Sequence, residues 1–362
     1  MSSVVSVAGP ILCAILLGRS YRGLLRRWRR KRVRAGAGPV GAAAPRRSSH
    51  GLAAPVRDVT QGDAETGRLI AHAGAGEWEP IREALSAVTD QARLTRLVHS
   101  VAGVEGVEGW LEPVLAADPE APLPLLLSGA RQLQWGWEAR TGSRAKDVSQ
   151  EQWKLFHERL ELGEERLYRA AELRPEWHAP WYFLQTIARG LSFGPGPARH
   201  RYEAALRRTP DHLDTDRDRL QQLCRKWSGS HETMHAFARE RGMSAPPGSV
   251  LPVLVADAHL EHWLDLEGEE QRRYFDDPAV AKELLEAAER SVLHPEPLPS
   301  PDWISARSTF ACALSLAKQW EPARQLFREL DGRYGRYGWG YLKGGAPEAY
   351  ARMRDRAFDA AA

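Results

Sequence analysis

Five consecutive residues in this chain, His231-Glu232-Thr233-Met234-His235, have the types and spacing that metal-assisted hydrolysis needs. On a helix the two imidazoles project from one face and can hold Zn²⁺, while Glu232 can take a proton from a metal-bound water. Glu261, followed four residues later by Asp265, offers a carboxylate as third ligand. His259 and His262 flank that glutamate and form a second, weaker cluster. One reading is therefore a zinc-dependent hydrolase with His231, His235 and Glu261 as ligands and Glu232 as base.

The surrounding residues favour a plainer role. Ser230 stands directly before His231 and reads as an N-cap, which puts His231 in the first turn of a helix instead of its interior. Met234 and Phe237 then supply the core contacts. Ala238 and Arg241 occupy the places where an extended pattern would set a glycine and a third histidine, and no alternating segment suggests a sheet to align a substrate. The His259/His262 cluster reads as a solvated helix face. No Ser/His/Asp arrangement, phosphate-binding glycine loop or pair of catalytic acids emerges elsewhere. We expect no catalytic residue, no cofactor and no metal, with the zinc site kept as the alternative.

Aromatic residues offer binding in place of chemistry. Trp135 and Trp137, with Trp177 and Trp181 downstream, could line a groove that grips a peptide, although packing between helix layers is the simpler reading. Gly332-Arg-Tyr-Gly-Arg-Tyr-Gly-Trp-Gly340-Tyr has the composition of segments that stack on single-stranded nucleic acid. One short copy reads more simply as a flexible connector.

These residues must be positioned by helices. From Asp58 onward the apolar positions recur at helical spacing, as at Leu94, Leu97, Val98 and Val101. Helix pairs are expected at 63–74 with 78–88, 91–102 with 107–117, 123–140 with 150–173, 178–190 with 197–208, 212–227 with 230–241, 250–266 with 278–293, and 302–317 with 320–331. A last amphipathic helix, 346–360, would cap the open end. The segments Thr141–Ser149 and Glu267–Asp277 read as loop insertions.

Three phrases end helices the same way: Val114 to Pro119-Glu, Ala170 to Pro175-Glu and Ala205 to Pro210-Asp. Pro175 and Pro210 are 35 residues apart, and a fixed period of that length belongs to stacked helix pairs. The 178–210 unit resembles a tetratricopeptide repeat through Trp181, Leu184, Ala198, Tyr202, Ala205 and Pro210, with Gln185 and Ala188 where that family has Gly and Tyr. Phe310, Ala311, Leu314, Trp320, Ala323 and Phe327 repeat part of the pattern. Trp78-Glu-Pro80 and Trp320-Glu-Pro322 echo one another near the two ends. The resemblance covers most of 63–331 and implies an all-α, tetratricopeptide-like solenoid that binds a protein or peptide partner without catalysis.

Composition agrees with a folded body and adds a polarised leader. The chain has 362 residues, 43% of them hydrophobic, and 13 tryptophans. Residues 1–50 hold 11 Lys/Arg and no acid, leaving 39 basic against 47 acidic residues in the remainder. That mildly acidic body makes nucleic acid an unlikely partner. Only 7 of 50 basic residues are lysine, which we read as coding bias. Cys13, Cys224 and Cys312 are isolated among apolar neighbours and read as small buried residues of a reducing compartment.

Residues 4–17 are apolar, contain Pro10 and precede nine basic residues between Arg19 and Arg34. Charges after the apolar run are the reverse of a cleavable signal. Three readings stay open: contact with or insertion in an anionic membrane, an unstructured basic leader, and a nucleic-acid arm. Membrane contact would leave the body cytoplasmic. Segments are thus 1–34 leader, 35–57 linker, 58–331 repeats and 332–362 connector with capping helix.

Overall fold

The computed structural model describes residues 50–141, 147–227, 229–335 and 337–360, all within one compact unit. Sixteen α-helices appear among them. In chain order they are α1 (Ala64–Ala75), α2 (Trp78–Ser86), α3 (Gln91–Ala102), α4 (Val107–Ala117), α5 (Pro122–Arg140), α6 (Gln150–Leu173), α7 (Ala179–Gly190) and α8 (Pro195–Leu206). There follow α9 (Leu213–Leu223), α10 (His231–Ser244), α11 (Val253–Asp265), α12 (Gly268–Arg273), α13 (Pro278–Arg290), α14 (Trp303–Leu316), α15 (Trp320–Leu330) and α16 (Ala346–Ala360). The fold is all-α, and helices pack on their neighbours in sequence.

The proline phrases do what their chemistry requires. Pro119, Pro175 and Pro210 all lie just beyond the ends of α4, α6 and α8, since proline offers no N–H and clashes with the preceding turn. Pro80 and Pro322 fall in the first turns of α2 and α15, where a missing N–H costs nothing.

Every expected pair but one packs as a pair. The exception is 91–102 with 107–117, where α4 packs chiefly on the following helix α5. The first helices also pack on one another in order, α1 on α3, α3 on α5, α5 on α7, α7 on α9, α9 on α11 and α11 on α14. This layering explains the burial pattern. In α14 every residue from Ser308 to Ser315 is buried, because neighbours cover it on several sides. In α15 only Ala323, Leu326, Phe327 and Leu330 are buried, one stripe at i, i+3, i+4 and i+7.

The longest pair, α5 and α6, meets through glycines. A Cβ on Gly129 would lie 2.6 Å from Leu167 Cγ, and one on Gly136 would lie 2.5 Å from Leu160 Cδ1. Gly163 sits opposite, where a Cβ would be 3.1 Å from the Gly129 carbonyl oxygen. Overfilling a tight contact costs about 1–3 kcal/mol, so Gly129→Val should lower the urea midpoint of unfolding correspondingly. A midpoint equal to the parent's would mean that these helices separate freely.

Three segments differ from expectation. Glu267–Asp277 holds α12 and a short 3-10 turn, Tyr274–Asp276, instead of an open loop. Val56–Arg57 (β1) pairs in parallel with Arg333–Tyr334 (β2), joining the start of the described chain to the region after α15. The supposed connector is packed: Trp339 is fully buried, its indole N–H donates to Ser308 Oγ at 2.9 Å, and its ring lies 5.1 Å from Tyr350. The end of the helix array is therefore tied to residues 50–57 as well as covered by α16. No helix among the described residues is long and apolar enough to cross a membrane, and the leader 1–34 lies outside them. Part of the Thr141–Ser149 segment, residues 142–146, lies outside them too.

Candidate functional site

Ser230 caps α10 as its position implies. Its Oγ accepts the Thr233 N–H at 3.1 Å, while Thr233 Oγ1 accepts the Ser230 N–H at 3.1 Å, a reciprocal box that fixes His231 as the first helical residue. Met234 and His235 then face inward and Glu232 faces solvent. Opposite them α11 presents His259, His262 and Asp265, which share a face by helical spacing.

The histidines are brought together, and Glu261 is not among them. His231 Nε2 lies 2.9 Å from Asp265 Oδ2, and His235 Nε2 lies 3.0 Å from His262 Nδ1. Tyr274 places its hydroxyl 3.1 Å from His262 Nδ1 and 2.8 Å from His259 Nδ1, and His259 Nε2 reaches Glu283 at 3.2 Å. Glu261 is one residue from His262 and so about 100° round the helix. Its carboxylate accepts from Gln221 Nε2 at 2.7 Å, Lys226 Nζ at 2.6 Å and the Tyr341 hydroxyl at 3.0 Å. Among the described residues, no three His, Cys, Asp or Glu side chains are arranged to hold a metal ion.

Burial, then the charge of neighbouring histidines, pulls His235 down to about 3 and His262 to about 4. Both imidazoles are neutral near pH 7, so in the His235–His262 hydrogen bond one ring donates its N–H and the other accepts at a bare nitrogen. Glu283 is pulled down to about 2, first by the hydrogen bond from His259 and then by Arg239, against the cost of burial. The cluster is a polar contact between two helices in which His231 Nδ1 and His235 Nδ1 are buried without a hydrogen-bond partner among the described residues.

A second polar assembly lies along α9, the most charged first helix, with the run Asp214-Thr-Asp-Arg-Asp218. It runs between two apolar clusters, one built by residues from Leu69 to Ile187 and one from Leu213 to Ala357. Thr215 and Asp216 are 0% exposed. Thr215 Oγ1 meets His178 Nε2 at 3.0 Å, and the other ring nitrogen of His178 meets Thr95 Oγ1 of α3 at 2.8 Å. Asp216 accepts from the Tyr202 hydroxyl at 2.7 Å and from Arg241 at 3.0 and 2.9 Å.

Arg217, 2% exposed, turns the other way. It donates to Asp257 Oδ2 at 2.8 Å, to Ser305 Oγ at 2.7 Å and to Thr309 Oγ1 at 3.3 Å, and its guanidinium carbon lies 4.5 Å from the centre of the Tyr337 ring. Burial pushes the Asp257 carboxyl up and opposes the Arg217 charge, and the attraction to Asp257 more than restores the guanidinium above its ordinary value.

Around this core the first helices expose a mixed surface. Arg189 of α7 donates to Asp218 Oδ1 at 3.2 Å, and Thr186 also bonds that carboxylate. Arg189 lies over Trp137 of α5 at 5.9 Å and Trp227 at 6.0 Å, and the two indoles meet edge to face at 6.0 Å. Next to Trp227, Lys226 bonds Glu261, which also holds Tyr341, itself 37% exposed. Aromatic and charged groups from α5, α7, α9 and the turn Arg225–Trp227 thus share one partly exposed region, to which α11 adds the buried Glu261.

The four tryptophans expected to form a groove have different surroundings. Trp135 lies under Arg159 at 3.7 Å, Trp137 is in the region above, Trp177 is buried under Arg174, and Trp181 faces Tyr168 and His200. Sequence reasoning missed Arg189, Asp218, Trp227 and Tyr341, for which the signal was an unusually charged helix in the middle of an apolar series.

The fold and this region together define an all-α chain whose helices pack on their sequence neighbours around one polar helix. Compared with models of known families and with curated proteins, the chain matches none.

Proposed function

We propose that this chain is a non-catalytic scaffold, a tetratricopeptide-like solenoid that holds an extended segment of a partner protein against its first helices. One observation carries the reading: Trp137, Arg189, Asp218, Lys226, Trp227 and Tyr341, with the buried Glu261 holding both Lys226 and Tyr341, form a partly exposed surface of aromatic and charged side chains. Tryptophan, tyrosine and arginine are the residues that dominate binding energy at protein interfaces. The stacking of first helix on first helix supports the solenoid, and the pairing of Glu261 with Lys226 and Tyr341, away from His231 and His235, favours binding over zinc hydrolysis. Residues 4–34, with their apolar run and arginines, are suited to hold the body at the cytoplasmic face of an anionic membrane.

A photo-crosslinking residue in place of Trp227 tests the surface. Adducts to a polypeptide partner are expected from position 227 in cells and absent from position 286, on the exposed side of α13. No adduct at 227, or equal adducts at both, overturns the reading.

A further inference from the structure

Residues 50–61 lie across the end of the array like a strap. The Ala53 N–H donates to Asp331 Oδ1 at 3.1 Å, the Val56 N–H to the Gly332 carbonyl at 2.9 Å and the Asp58 N–H to the Tyr334 carbonyl at 3.1 Å. Arg354 Nη1 donates to the Ala53 carbonyl at 2.9 Å, and the Ser305 N–H donates to Gln61 Oε1 at 3.0 Å. The ring of His50 stacks on Phe358 at 4.8 Å. Few apolar side chains are committed here, since Val56 and Val59 are 54% and 55% exposed. A segment held by hydrogen bonds with little apolar burial opens at lower free energy than the helices beneath it.

What the strap pairs with leads directly to the interior. Gly332 and Tyr334, whose carbonyls it holds, begin the stretch that carries Tyr337 over the Arg217 guanidinium. The stretch lies close against α14: a Cβ on Gly335 would be 3.1 Å from Ser305 Cα, and one on Gly338, at φ +84°, would be 2.9 Å from Cys312 Sγ. Only glycine fits at Gly338 on both counts, contact and backbone angle. Beyond it Trp339 is locked in the core. The covering stretch is thus fixed at one end by Trp339, within it by the Gly335 N–H donating to Ser308 Oγ at 2.9 Å, and at the other end by the strap.

We propose that residues 50–61 act as a releasable strap: when they detach, the stretch before Trp339 lifts, and Tyr337 uncovers Arg217 and the edge of the partner surface. The inference rests on the binding reading above for its purpose, but its mechanics need no partner. Release couples the segment that follows the basic leader to access at the interior, so tension or binding at the N-terminal side would open the site.

Cys312 is the internal reporter, because Gly338 covers its sulfur, and Cys224, buried beside Met234 at 3.4 Å, is the control for general loosening. In full-length protein carrying Cys13→Ser, maleimide labelling is followed by peptide mass. Val56→Pro removes one strap N–H at an exposed side chain, and Asp331→Ala removes the acceptor for Ala53. The pair together should speed Cys312 labelling about tenfold, as expected when a local opening becomes easier, with Cys224 unchanged. An unchanged Cys312 rate, or Cys224 accelerating in parallel, overturns the strap. Either result leaves the crosslinking test at 227 independent, so failure of the strap and failure of the binding surface are separable.

Discussion

Arg217→Met should destabilise the protein by about 3–5 kcal/mol, because it strands a buried carboxylate at Asp257 without its partner. The methionine fills most of the volume, so the loss reports charge and hydrogen bonds more than a cavity. Ser305 and Thr309 lose an acceptor role at the same time, and Tyr337 loses the cation beneath its ring. Urea unfolding near pH 7 measures the effect. The double variant Arg217→Met/Asp257→Leu should recover most of the loss, since an apolar pair of similar size needs no compensation. A single-variant loss under about 1 kcal/mol would place Asp257 in contact with water, in the range of exposed pairs. A double variant no better than the single would assign the loss to packing around Ser305 and Thr309.

That prediction concerns a helix whose role the sequence conceals. The apolar stripes and terminal prolines locate the helices because both are local signals: a stripe fixes which face is buried, and proline fixes where the helix must stop. The charges of Asp216, Arg217 and Asp218 in α9 are equally visible, yet by pattern they describe a solvated face. Asp216 and Arg217 are buried and Asp218 half-buried because their partners arrive from far along the chain, Arg241 to Asp216, Asp257 to Arg217 and Arg189 to Asp218. No local pattern encodes such a pairing.

The histidines teach a related point. Helical spacing correctly puts His231 and His235 on one face, and the Ser230 cap correctly puts His231 at the helix start. Which residue of the neighbouring helix meets them depends on its rotation. In α11 that rotation presents His259, His262 and Asp265 and sends Glu261 to Lys226 and Tyr341. The Gly/Tyr stretch was opaque for another reason: its glycines signal close approach as readily as flexibility, and only the position of α14 decides between them.

The neutral histidines carry the second large prediction, loss of stability on mild acidification. His178 is fully buried between Thr95 and Thr215, and burial, then His212 and Arg208, pull it down to about 2. His212 is pulled down to about 3, and His235 and His262 to about 3 and 4. Each folded value is below the ordinary 6.5. The unfolded chain therefore binds more protons, and the stability these residues permit is complete above pH 6.5 and drains away as pH falls toward 4 and below. One pH unit is worth up to about 1.4 kcal/mol per site, and the unfolded histidine is half protonated at pH 6.5, so His178 and His235, both buried, should together cost about 3 kcal/mol between pH 6.5 and 5. Asp302 opposes this: burial and Asp214 raise it to about 6 from 3.8, so it favours the folded state as pH falls through that interval. Asp216 and Asp257, also raised by burial, act in the same direction as Asp302; these carboxyls offset part of the histidine term, and the urea midpoint should fall from pH 7 to 5. His178→Gln, which keeps an amide between the two threonine hydroxyls but takes up no proton, should flatten that slope by nearly one proton. A midpoint independent of pH across this range, or an unchanged slope in His178→Gln, would mean that these imidazoles reach solvent when they titrate.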